Sequence, residues 1–176
     1  MNTAHLHLLL NHVPVLGTIF GLLLLLWALL RGRDELKRLS LWVLALSALV
    51  ALPVYLTGEP AEAAVEHLPG VAESLIERHE SAAALSLVAI LITGGVALAG
   101  SLLFRRAEKL PGWVSAGVLA LALCAAGLLG WTANLGGQIR HPEIVAARAG
   151  ETAPAKPEAI APTSQKEREH IDKDDD

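Results

Sequence analysis

The chain of 176 residues has one cysteine, one methionine and one tyrosine, and aromatic residues make up only 4% of it. A single cysteine, Cys124, excludes an intrachain disulfide and a Cys-x-x-Cys metal site. The sequence also has no serine in a nucleophile elbow, no glycine-rich phosphate loop and no HExxH zinc motif. These absences remove the support for serine-hydrolase, nucleotide-binding and zinc-protease chemistry, and leave open whether the protein is an enzyme.

Charged residues are missing from four long apolar stretches, residues 13–30, 39–56, 81–104 and 113–135. Each stretch is close to the roughly 20 residues that cross the apolar core of a bilayer as a helix. The sequence therefore predicts an all-α protein, a four-helix transmembrane bundle within residues 1–144 whose surroundings are lipid. Without charges inside these stretches, an ion or proton path through the bilayer has no support.

Two small-residue features bear on helix packing. Gly17 and Gly21 form a Gly-xxx-Gly pair, which lets another helix approach closely in lipid, and a homodimer through this pair stays open. The hydroxyls of Ser86, Thr93 and Thr132 are expected to bond within their own helices.

Basic residues set the predicted orientation. They are concentrated after the first and third stretches: Arg31, Arg33, Lys37, Arg38, Arg105, Arg106 and Lys109. By the positive-inside rule both termini face outwards, which means the periplasm for a protein of a bacterial inner membrane. The outer loop 57–80 is acidic and predicts a short helical hairpin, whereas the acidic residues 145–176 predict a disordered tail. The net charge of −4 gives no support to a nucleic-acid partner.

By this topology, six of the seven histidines fall at the outer face, and this asymmetry is the main functional clue. The predicted primary ligands are the histidines close to the apolar core or beside charged residues: His12, His79 and His141. The predicted further ligands or orienting partners are the carboxylates Glu59, Glu62 and Glu80, with Arg140 to balance charge. His5 and His7 are equally consistent with a metal ligand and with a solvated surface residue, and they are not included in this set.

Imidazole and carboxylate groups suit Fe, Zn or Mn, and helical bundles hold such metals with inward-facing His and Glu. The rival cofactor is haem b, which needs two histidines facing each other, such as His12 with His79 or His141. With either cofactor, the sequence predicts a membrane subunit for electron transfer or metal handling. The alternative is a non-catalytic scaffold whose outer loop and tail bind a membrane or periplasmic protein.

Four sequence blocks together carry a family resemblance: Asn11-His-Val-Pro14, Tyr55-Leu-Thr-Gly-Glu59, Glu77-Arg-His-Glu80 and Gly136-Gly-Gln-Ile-Arg-His-Pro-Glu143. They are similar to those of uncharacterised bacterial four-helix membrane proteins, the domain of unknown function 2231. The resemblance covers roughly residues 5–144 and implies a bacterial inner-membrane protein in which the four blocks form one unit. It implies no particular activity.

Overall fold

A computed structural model describes residues 3–63 and 71–141, without the side chains of residues 3 and 140. The regular elements in these ranges are α-helices, with no strand: α1 (Thr3–Leu10), α2 (His12–Arg31), α3 (Asp34–Leu56), α4 (Gly58–Glu62), α5 (Glu73–Leu103) and α6 (Gly112–Arg140). The predicted tail, residues 145–176, lies outside the described residues, as do loop residues 64–70.

The four long helices form a bundle in which α2, α3, α5 and α6 each pack against two neighbours, with α6 returning to α2. Each of the four is long and apolar enough to cross a membrane. Large apolar side chains cover the outside of the bundle, including Leu30, Leu56 and Leu103, which are more than 70% exposed. Such a surface is stable in lipid and not in water. The predicted all-α, four-helix transmembrane fold is confirmed, and the chain is a multi-pass membrane protein.

A break at Asn11 separates α1 from α2, and Pro14 explains it. Proline has no backbone N–H, so Pro14 cannot donate to the carbonyl of Leu10, four residues earlier, and its ring crowds that carbonyl. The backbone N–H of Asn11 still donates to His7 O at 2.9 Å, so the chain stays helical up to the break. α1 is therefore a short helix that packs against α4 and α3 at one end of the bundle.

The glycine pair of α2 packs inside the chain. A Cβ atom on Gly21 would lie 2.8 Å from the side chain of Leu44 on α3, and one on Gly17 would overlap Ser47. Only glycine allows the backbones of α2 and α3 to come this close. The surface that the sequence offers for a dimer is therefore occupied by α3 of the same chain.

The two basic connections, between α2 and α3 and between α5 and α6, meet at one end of the bundle. The guanidinium group of Arg38 donates to Phe104 O at 2.9 Å and to Ala107 O at 2.8 Å. The carboxylate of Asp34 accepts the backbone N–H of Leu110 at 2.7 Å. We call this the basic end. The opposite end, formed by α1, α4, the start of α5 and the end of α6, is the histidine end.

The acidic loop between α3 and α5 is only in part the separate helical hairpin that the sequence predicts. Its first half is α4, but residues 73–80 are the first turns of α5 and continue into the bundle. Neither glycine nor proline occurs between Val71 and Thr93, so nothing in this segment interrupts the helix before the apolar stretch begins.

Candidate functional site: a pair of anchored histidines

Two histidines continue the buried faces of their helices at the histidine end. The buried residues of α2 alternate in steps of four and three: Pro14, Thr18, Gly21, Leu25 and Ala28. The same steps backwards lead to Asn11 and His7, both half-buried. The same spacing applies on α5, where half-buried His79 lies three residues before buried Ala82. The bundle core therefore changes from apolar residues to imidazoles at this end.

His7 is held by the end of α3. Its Nδ1 lies 3.0 Å from Val54 O and 3.3 Å from Thr57 Oγ1. Val54 is in the last turn of α3, where its carbonyl oxygen also accepts the backbone N–H and the hydroxyl of Thr57 and carries part of the negative end of the helix dipole. A carbonyl oxygen can only accept, so Nδ1 carries the proton in this geometry.

His79 is held by α6 in the same manner. Its Nδ1 donates to Thr132 O at 3.1 Å, and its ring lies against Gly136. A Cβ atom at position 136 would lie 3.1 Å from Cε1 of the ring, tighter than most real contacts of this kind. The missing side chain of Gly136 therefore gives the imidazole its place beside α6.

A buried hydroxyl pair supports this anchor. The side-chain oxygens of Thr132 and Ser86 are 2.8 Å apart and join α6 to α5, seven residues below His79 on its own helix. Thr93 bonds to Ala89 O in its own helix, as expected. The prediction that Ser86 and Thr132 would also do so is wrong, because α5 and α6 pack closely enough for the two hydroxyls to meet.

The two imidazoles lie at the same end of the bundle. Each has its Nδ1 on a helix carbonyl, and within the described part of the chain neither Nε2 has a hydrogen-bond partner. A glycine lies beside each ring, because a Cβ atom on Gly58 would be 3.8 Å from Cε1 of His7. The site is therefore a pair of imidazoles, anchored through Nδ1 and available through Nε2.

The predicted site residues are spread over the histidine end. His12 is exposed on α2, one position away from the buried face at Asn11, and His141 is exposed just after α6. Of the carboxylates, Glu59 and Glu80 are exposed and Glu62 is half-buried; the side chain of Arg140 lies outside the described residues.

Among residues 3–63 and 71–141, no three His, Cys, Asp or Glu side chains come together in a group that could hold a metal ion. Of His12, His79 and His141, His79 is the one that continues the buried face of its helix, as His7 does on α1.

Sequence reasoning missed His7, Thr132 and Gly136 as members of the site. The signal that finds them is the continuation of the core spacing beyond the apolar stretches. On α6 the buried residues Val118, Ala122, Ala125 and Leu129 lead, in steps of three and four, to Thr132 and Gly136. Hydrophobicity alone does not mark these positions, because they are polar or lack a side chain.

Comparison of the chain with family models, with curated proteins and with solved structures finds no match. The chain is thus a multi-pass membrane protein that carries two anchored histidines on the buried faces of its helices, at one end of the bundle.

Proposed function

We propose that this protein is an electron-transfer subunit of a bacterial inner membrane, with a haem b held between His7 and His79 at the periplasmic end of the bundle. The observation that carries the proposal is the anchoring of both imidazoles. Histidines that bind a metal through one ring nitrogen usually donate the other N–H to a carbonyl or carboxylate, which fixes the ring and strengthens the ligand. Val54 O and Thr132 O are such acceptors.

The number of ligands favours haem over a zinc-type centre. Zinc sites take three or four protein ligands, whereas the described residues offer two anchored imidazoles at this end and no group of three metal-binding side chains. A haem iron already has four ring nitrogens and needs only one or two axial ligands from the protein. When bound, haem would supply one-electron oxidation and reduction, while the chain holds and orients the axial imidazoles.

Two glycines lie beside the rings of the histidine pair. Gly58 and Gly136 leave the sides of the two rings without side chains. The side-chain oxygen of Asn11, on the same face of the chain as His7, is buried and lacks a hydrogen-bond partner among the described residues. The hydroxyls of Thr18, Ser101 and Ser115, elsewhere in the bundle, are also buried without a partner among the described residues, so the proposal rests on the anchored imidazoles and not on Asn11.

The proposed orientation rests on the basic end. Arg38 ties the two basic connections together, so the residues that retain a loop in the cytoplasm lie at one end of the bundle. The histidine pair is then at the periplasmic face, where soluble electron carriers or the extracytoplasmic part of another membrane subunit can reach it.

The test is an absorption spectrum of the protein, purified gently in detergent from its native membrane, in the oxidised and reduced states. We expect a Soret band that shifts on reduction and one haem for each chain by pyridine haemochrome assay. Elemental analysis of the same sample provides the comparison. Stoichiometric zinc or manganese without a Soret band would contradict haem, and a sample without metal and haem would favour the scaffold alternative.

A further inference from the structure

A surface cleft lies on the outside of the bundle at its histidine end. It has a volume of about 300 Å³ and is lined by Glu77, Arg78, Ser81 and Trp131. All four side chains are exposed, three on the first turns of α5 and Trp131 on α6. The cleft is thus separate from the histidine pair, which continues the buried faces of the helices.

The cleft combines charges of both signs with a hydroxyl and an indole. Ser81 follows Arg78 by three residues and Glu77 by four on α5, so its hydroxyl is a neighbour of both charged side chains on the helix surface. Neither Glu77 nor Arg78 forms an ion pair with another residue in the described ranges. Both charges are therefore available to a ligand with a negative and a positive group.

The cleft is also at the level where lipid headgroups lie. The 31 residues of α5 extend about 46 Å, more than the roughly 30 Å of the apolar bilayer core. After Glu80 no charged residue follows in α5, so the cleft marks the border between the charged turns and the apolar stretch. Tryptophan residues such as Trp131 are typical of this border.

Below the cleft, the surface has room for an acyl chain. In steps of four and three from Trp131 towards the membrane interior, the exposed positions of α6 carry small side chains, Gly127, Cys124, Ala120 and Gly117, and Leu123 beside this row is also exposed. The exposed face of α5 beneath Ser81 carries the apolar residues Leu85, Val88 and Ile92. A free phosphate or a soluble zwitterion would leave this apolar surface unused.

We propose that the cleft binds phosphatidylethanolamine, a phospholipid whose headgroup has a phosphate and a primary ammonium group. The phosphate contacts the guanidinium group of Arg78 and the hydroxyl of Ser81, and the ammonium group contacts the carboxylate of Glu77. An acyl chain lies along the small residues of α6. Arginine is suited to phosphate because its N–H groups match the phosphate oxygens in pairs.

The test is native mass spectrometry of the full chain in detergent, titrated with phosphatidylethanolamine, phosphatidylcholine and phosphatidylglycerol. Phosphatidylethanolamine should bind best, because phosphatidylcholine has no N–H to donate to Glu77 and phosphatidylglycerol has no cation. Arg78→Gln should weaken its binding by roughly tenfold, the effect of one charge-assisted hydrogen bond. Glu77→Gln should remove the preference for phosphatidylethanolamine over phosphatidylglycerol.

Two exposed residues outside the cleft serve as matched controls. Glu73→Gln changes a carboxylate one turn before Glu77, and Arg105→Gln changes an arginine at the basic end; both should bind lipid like the unmodified protein. Circular dichroism of each variant checks that the helices remain. Equal binding of the three lipids, unchanged binding in Arg78→Gln, or a second protein copy in place of the lipid adduct would each overturn the proposal.

Discussion

The imidazole of His79 lies against the backbone of Gly136, whose missing side chain lets Nδ1 reach Thr132 O at 3.1 Å. Gly136 is inside α6 and has no positive φ angle, so its role is to leave space and not to permit an unusual backbone. Alanine substitutions at Gly136 and at its neighbour Gly137 can therefore distinguish the loss of this space from the general effect of glycine on helix stability.

Gly136→Ala should displace the ring of His79 by a few tenths of an ångström and weaken the proposed haem binding. Loss of a group that orients a ligand typically costs about 10- to 100-fold in affinity. The measurement is haem retention and the position of the Soret band during titration of the haem-free protein.

Gly137→Ala is the control, because a Cβ atom there would meet nothing within 4 Å. It should leave the spectrum unchanged and raise the thermal stability slightly, since alanine favours a helix over glycine by about 1 kcal/mol. Equal spectra of the two variants would contradict the role given to Gly136.

Pro14→Ala tests the break between α1 and α2. An alanine N–H can donate to Leu10 O, so the turn at Asn11 should become regular α-helix and shift the ring of His7 relative to Val54 O. We expect unchanged or higher helix content by circular dichroism, together with a weaker haem spectrum. A variant with the full spectrum of the unmodified protein would show that the break does not position His7.

Thr132→Val and Ser86→Ala each remove one half of the hydroxyl pair between α5 and α6. Each should destabilise the bundle by about 0.6 kcal/mol, the average for hydrogen bonds between membrane helices, and by no more than about 1.7 kcal/mol. The double variant should lose less than the sum of the single variants, because the second substitution removes a hydroxyl that has already lost its partner. Thermal unfolding in detergent gives the three values, and strictly additive losses would count against a direct bond.

Arg38→Gln should loosen the basic end, where its guanidinium group joins α3 to the carbonyls of Phe104 and Ala107. The loss of hydrogen bonds from a charged group should destabilise the protein by about 1.5 to 3 kcal/mol. Arg105→Gln, at an exposed arginine, should stay within about 0.5 kcal/mol of the unmodified protein. The same thermal unfolding compares them, and an equal loss in both would contradict the joining role of Arg38.

The bundle could be predicted from the sequence because an uncharged apolar stretch of membrane length has few alternatives to a helix. The histidine pair could not be predicted in this way. Whether a histidine is buried depends more on the side of the helix that it occupies than on its distance along the chain from the apolar core. His12 is next to Asn11 at the edge of that core, yet its position on α2 turns it outwards. His7 is further from the core along the chain but continues its buried face.

The contacts across helices were also beyond sequence reasoning. The Val54 carbonyl becomes an acceptor for His7 only because α3 ends beside α1. Likewise, Ser86 and Thr132 are 46 residues apart, and each alone is compatible with a bond in its own helix. Such partners depend on how the helices are arranged, which hydrophobic spacing within one helix does not determine.

The most direct test of the central proposal compares His7→Ala and His12→Ala in reduced-minus-oxidised absorption spectra of membranes with equal amounts of each protein. The two histidines are five residues apart, and they differ in whether they continue the buried face of the bundle. We predict that His7→Ala loses the haem b signal of the unmodified protein and that His12→Ala retains it. A signal that survives in His7→Ala and disappears in His12→Ala would contradict the assignment of His7 and His79 as the haem ligands.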